Sequence, residues 1–259
     1  NNTMSNSQII LLGDCIATGQ GLLWPEITGD KDIAVDYIEV LKNKDFKKKL
    51  VSWYLKNNKE KVDFNSIIHH SYKSEIKKEK DMSWVSHIPN SLNLAVAVET
   101  FQGMHKKIKK IILENRKPSM VLITCFSEEH RCVVINQNNQ KFVVKRDINF
   151  WELDQHIWPT EIYQKFMTKL NDQELLGDQF QRRKNKKSFD MLTRLLDHHQ
   201  IPYKFLLFRK CNSYISTQYV DLSDLHAKYR NHDGRDLATR KLEVQPEIAR
   251  RVMDAVGLS

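Results

Sequence analysis

The residue best placed to do chemistry is Cys15, in the stretch Ile9-Ile-Leu-Leu-Gly-Asp-Cys-Ile-Ala-Thr-Gly-Gln-Gly-Leu22. Four apolar residues run into Gly13, Asp14 and the thiol. At the C-terminal end of a strand, where a helix begins, backbone N–H groups favour the ionised thiol. A thiolate there is a nucleophile for acyl transfer, given a base within hydrogen-bond reach and donors for the oxyanion. His226 and His232, late in the chain, are the candidate bases, and the Cys15 N–H is one candidate oxyanion donor. The alternative is structural, because cysteine is also a small hydrophobe that suits a buried turn.

Other reactive residue types make weaker patterns. Gly13, Gly19 and Gly21 lack the Lys-Ser/Thr of a phosphate-binding loop and the spacing of a dinucleotide fingerprint, so they read as a tight turn before an anion nest. Cys125, His130 and Cys132 are only three ligands without standard spacing, and Cys125 reads as core strand. No metal and no cofactor are expected. His69-His70 and His198-His199 are adjacent in sequence, so their side chains should diverge at the surface. The five tryptophans, Trp24, Trp53, Trp84, Trp151 and Trp158, read as core or lid packing.

The elements that must position these groups alternate between apolar runs and helical patterns. That alternation is the signature of a mostly parallel sheet covered by helices. Residues 8–12 form the first strand, and amphipathic helices follow over 33–41 and 46–55. "SLNLAVAVE" (91–99) reads as a short buried strand or strand end. The next helix carries Phe101, Met104, Ile108, Ile111 and Ile112 on one face, and Pro118 ends it. "SMVLITCF" is the clearest central strand. "RCVVINQNNQKFVVKRD" reads as a projecting hairpin, and residues 147–172 as irregular to helical with anchors Phe150, Trp151 and Trp158. A long polar helix over 172–199 presents Phe189, Leu192, Leu195 and Leu196. "IPYKFLLFR" is another buried strand, and Pro246 starts a closing helix. Without a low-complexity linker or internal repeat, residues 1–259 read as one α/β domain with insertions near 30–82 and 132–172.

Composition bounds the setting. The 259 residues are 41% hydrophobic, enough for a sizeable core. No run approaches the roughly 18 apolar residues that cross a bilayer, so no membrane partner is expected. The polar start does not resemble a signal peptide, and the four cysteines form no disulfide framework. A soluble, cytoplasmic protein is the expectation. The net charge of +9 has two readings, solvated lysine-rich helix faces or a polyanion surface. Arg182, Arg183, Lys184, Lys186 and Lys187 form the densest run and the best candidate patch for nucleic acid or another polyanion.

The apolar strand ending in Gly13-Asp14-Cys15 resembles the first block of the SGNH (GDSL-type) hydrolases, with cysteine in the place of the nucleophilic serine. "SWVSHIPNSLNLAVAVE" is similar to the Ser-Trp and Asn-Leu-Ala region of phage-type members. "KPSMVLITCFSEEHR" is similar to the third strand and its turn, which often carries an arginine like Arg131. "DLATRKLEVQPEIARRV" matches the spacing of the last block, with an alanine like Ala249. The resemblance implies a three-layer α/β/α sandwich of flavodoxin-like topology around a mostly parallel sheet. It also implies ester or thioester chemistry at Asp14 and Cys15, and a cytoplasmic setting in an infected bacterial cell.

The departures fall on the machinery. Val98 stands where the family has an oxyanion-hole glycine, Ser127 is the nearest polar residue to the third-block asparagine, and Thr239 replaces the histidine of Asp236-x-x-His. His226 and His232 could then serve only through a loop that folds back. Two functions stay open. One is an SGNH-like hydrolase or acyltransferase with a small acyl substrate, the other a degenerate SGNH-fold protein that binds a viral or host macromolecule.

Overall fold

A computed structural model of the chain describes residues 8–13, 15–19, 22–29, 43–57, 77–96, 99–125, 131–135, 141–145, 178–208, 215, 218–225 and 242–258. Five strands form one all-parallel sheet: β1 (Ile9–Leu12), β2 (Ser91–Asn93), β3 (Met120–Cys125), β6 (Tyr203–Leu207) and β7 (Tyr219–Asp221), in the order β2-β1-β3-β6-β7. Counting only these strands, the order is the 2-1-3-4-5 of flavodoxin-like sheets. The hairpin of β4 (Arg131–Ile135) and β5 (Lys141–Lys145) pairs antiparallel as a separate ribbon, as its sequence predicts.

Continuous apolar runs become central strands because both sheet faces are covered. Ile9 and Leu11 of β1, Leu122 of β3 and Leu206 of β6 join one core. Ile10, Leu12, Val121, Ile123, Phe205 and Leu207 join the other. The period of two along each strand divides the side chains this way, and register keeps them aligned, with Ile10 beside Val121 and Ile123 beside Phe205.

Two long helices cover the second core. Helix α5 (Phe101–Leu113) buries Phe101, Met104, Ile108 and Ile111. Its N-cap is Thr100, whose side chain accepts the Gly103 N–H at 3.1 Å. Helix α6 (Asp178–His198) buries Leu192 and Leu196 beside it. The rings of Phe101, Phe189 and Phe205 meet where these helices reach the sheet, with Phe101 edge-on to Phe189 at 5.5 Å. The opposite face holds the single-turn helix α1 (Cys15–Thr18), the 3-10 turn Trp84–His87 and the closing helix α7 (Gln245–Val256).

Of three further helices, the one expected over 46–55 is present and slightly longer, and two short ones were not foreseen. Helix α2 (Trp24–Thr28) opens on Pro25, α3 (Lys44–Asn57) packs on it, and α4 (Lys77–Met82) precedes the 3-10 turn. Of the tryptophans read as core or lid packing, Trp84 is core and Trp53 is half-buried outside it. Its indole N–H donates to Glu26 at 2.9 Å with Lys78 over the ring, so it is part of an exposed clamp between α2, α3 and α4. Hydrogen bonds from Lys78 and Trp53 hold the Glu26 carboxyl below the usual glutamate range. In "SLNLAVAVE" the short strand is Ser91–Asn93, and the correction is to its burial, since it lies half-buried at the sheet edge. His198 and His199 do not diverge. The helix ends between them, and their rings meet edge-on at 4.9 Å. The helix expected over 33–41 and the anchors Phe150, Trp151 and Trp158 lie outside the described residues.

Candidate active site

In an open sheet of this order, ligands bind beyond the C-terminal ends of the strands, where connections leave β1 and its neighbour on opposite sides. The exit of β1 is therefore the place to look, and it is the Gly13–Cys15 turn. Gly13 is buried with φ of +142°, a conformation that L side chains rarely adopt. A Cβ there would lie 1.8 Å from Thr124 Oγ1 and 2.8 Å from the Thr124 carbonyl oxygen. Glycine is required because the backbone of β1 passes directly against the end of β3.

The segment after β2 closes the third side. Leu94 donates its N–H to the Leu11 carbonyl at 2.8 Å, and Val96 donates to the Gly13 carbonyl at 3.1 Å. Helix α1 starts at Cys15, so the nucleophile candidate occupies a first turn, where backbone donors have no acceptor within the helix. With one turn of helix, the dipole adds little, and local N–H groups are what the turn offers a thiolate.

So short a helix needs external support, and its C-terminal carbonyls receive it from two side chains. The Trp84 indole donates to the Ile16 carbonyl at 3.0 Å, and Asn93 Nδ2 to the Ala17 carbonyl at 2.7 Å. Asn93 Oδ1 also accepts the Ala95 N–H at 3.1 Å, so one amide ties α1 to the segment after β2. Trp84 in turn is held from the end of the chain, where fully buried Gln245 accepts its backbone N–H at 2.8 Å. Ile248, Ala249 and Val252 of α7 pack in the same core as Ile16 and Ala17. The first and last segments therefore share one support. Gly19, at φ of +73°, ends α1 so close to α4 that a Cβ would sit 2.4 Å from the Glu79 carbonyl oxygen.

A second clamp lies on α5. Glu99 is buried just before the helix, accepts the Thr100 N–H at 3.1 Å and pairs with Lys107, whose ammonium also donates to the Leu94 carbonyl at 2.7 Å. Gly103 leaves room for that carboxylate, since a Cβ would meet Glu99 Oε1 at 2.0 Å. Lys107 thus pins both flanks of the segment beside the Gly13 turn to one helix. Sequence reading passed over Glu99, Gly103 and Lys107, although Gly103 and Lys107 are four apart on one helical face and Glu99 lies just before the N-cap.

Among the sequence-predicted residues, Cys15 is described through its backbone, while Asp14, Ser127, His226 and His232 lie outside the described residues, as do Val98 and Thr239. Cys125 and Cys132 are described as strand backbone and His130 is outside; the described residues contain no cluster of three metal-ligating side chains. Of the basic run, Arg183, Lys186 and Lys187 are exposed on α6, Lys184 is half-buried, and Arg182 is described as helix backbone. No helix among the described residues is long and apolar enough to cross a membrane. No protein-family model matches the chain, and no curated protein matches it.

Proposed function

We propose that the chain is an SGNH-like hydrolase or acyltransferase acting on an ester or thioester, with Cys15 as the nucleophile in place of serine. The observation that carries this reading is the glycine-locked exit of β1 at the switch point of a 2-1-3-4-5 sheet. Strand-to-helix turns of this kind present one side chain to a ligand crevice. Of the residues that carry the sequence resemblance, Trp84 and Asn93 donate to the helix that Cys15 begins, Ser83 accepts from Asn93, and Ala249 shares the core with Ile16 and Ala17.

In this reading the Cys15 thiolate attacks the acyl carbon and the carbonyl electrons move onto oxygen, where the Cys15 N–H donates. Collapse expels the alcohol or thiol, protonated by His226 or His232, and leaves an acyl-Cys15 thioester. Water or an acceptor then takes the acyl group and the thiolate returns. Turnover of p-nitrophenyl acetate tests it. Cys15→Ala should lower the rate by at least about 100-fold, and one of His226→Ala or His232→Ala should also lower it. Equal rates in wild type and Cys15→Ala would overturn the assignment.

A second reading is a binding protein that keeps the sandwich and has lost turnover. The exposed cations of α6 favour it.

A further inference from the structure

The lysines of the chain are not spread evenly over the sandwich. On α5, Lys106, Lys109 and Lys110 are exposed, and the helix contains no acidic residue. On α6, Arg183, Lys187 and Arg194 are exposed and lie at i, i+4 and i+11, within about 40° of one another around the axis. Of the three acids of that helix, Asp190 binds Lys186 at 2.8 Å, Asp197 accepts a hydrogen bond from Tyr203, and Asp178, the first residue, is described through its backbone. Among the described residues no ion pair engages Lys106, Lys109, Arg183, Lys187 or Arg194. The layer across the sheet differs. There Arg250 pairs with Asp254 at 3.1 Å and Arg251 with Asp224 at 2.9 Å, and Glu243 and Glu247 add further acid.

Helices α5 and α6 lie side by side, so their cations share one outer face. Lys106 and Lys109 together add a positive field that, after burial, lowers the pKa of neighbouring His105. From Arg183 to Arg194 the stripe is about 16 Å long, and a packed neighbour lies about 8–10 Å away. One strand of a duplex presents a phosphate every 3.4 Å or so along its axis. About five phosphates thus span the stripe, which carries three cations without an ion pair on α6, with two more on the neighbouring α5.

We infer that the outer face of α5 and α6 docks the phosphate backbone of a nucleic-acid duplex, without reading its sequence. The apolar stripes of both helices are spent on the sheet, and among the described side chains the two helices expose Leu113 and Met191 as isolated large apolar groups, too little to anchor in a bilayer. Phe101 is buried and Phe189 half-buried, so among the described side chains this face shows no exposed aromatic platform of the kind single strands stack upon. The surface does not depend on Cys15 chemistry.

Fluorescence anisotropy of a short labelled duplex, titrated from about 50 to about 200 mM salt, tests the proposal. With five phosphate contacts at about 0.9 each, wild type should bind with a log–log salt slope of about −4.5. The variant Lys106→Gln, Lys109→Gln, Arg183→Gln, Lys187→Gln should lose at least about tenfold in affinity at the lowest salt and about 3.6 in slope. A control with Lys44, Lys47, Lys48 and Lys56 of α3 changed to Gln has the same net charge and should lose less than about threefold. A second face variant, Arg183→Gln with Lys187→Gln, should lose about half the slope change, and circular dichroism shows whether each is folded. Equal weakening by face and control variants overturns the inference, as does no duplex binding at the lowest salt. Face-dependent binding to phosphatidylserine vesicles without duplex binding also overturns it.

Discussion

At the scale of single residues, the site region depends on positions where another side chain cannot fit. Gly13 is the sharpest case, because its positive φ and the 1.8 Å approach of Thr124 Oγ1 both exclude a Cβ. Gly13→Ala should destabilise the fold by about 2–4 kcal/mol, measured by urea unfolding. Gly29, also at positive φ but with open space around it, is the contrast, and Gly29→Ala should cost about 1 kcal/mol. A loss at Gly13 no larger than at Gly29 would contradict the packing of β1's exit on Thr124. The glycine was legible in the sequence as a turn. Its partner Thr124 was not, because that contact joins residues more than a hundred positions apart. Trp84 and Asn93 were legible by resemblance alone. Their physical task, satisfying carbonyls of α1, emerges only once α1 is known to be one turn long.

At the scale of elements, legibility followed apolar content. The strands "IILL", "MVLITC" and "YKFLL" and helices α5 and α7 have enough apolar residues at a clear period to declare themselves. Strand β7, with Val220 as its single aliphatic residue, and the helix α4, all but one of whose residues are charged, give no such signal and form because neighbours hold them. The segment after β2 is the element-scale case with most bearing on the site. Its flanks hang on Lys107, which bridges Leu94 and Glu99. Lys107→Met removes the partner of a buried carboxylate and should destabilise by about 2–4 kcal/mol. Glu99→Gln combined with Lys107→Met removes the uncompensated charge and should recover at least about 1 kcal/mol of that loss. A double-mutant cycle by urea unfolding measures this. Additive losses would mean that the two side chains do not act as a pair.

At the scale of the whole molecule, sequence order gave the α/β class but not which strands touch. Parallel partners are joined by long crossovers, and β1 meets β3 across more than a hundred residues, so the 2-1-3-4-5 order is a tertiary fact. That order also sets a gradient of stability. Strands β1, β3 and β6 are flanked on both sides and sandwiched between two apolar cores, and Leu11, Leu12, Leu122, Ile123 and Leu206 are fully buried. Strand β7 is an exposed edge, and α3 buries only Phe46 and Leu50. Opening that exposes β1 or β3 must break both cores at once, whereas β7 and α3 can open at the cost of a few contacts. Native-state hydrogen exchange should therefore find amides of Leu11, Leu122, Ile123 and Phe205 exchanging only through global unfolding. Amides of β7 and α3 should exchange through local openings at least about 2 kcal/mol less costly. Because the Gly13 turn is hydrogen-bonded to Val96 and packed on Thr124, the Val96 amide should group with the central strands. Protection of Val96 at the level of α3 would detach the turn from the core and remove the rigid scaffold on which the Cys15 chemistry is proposed to rest.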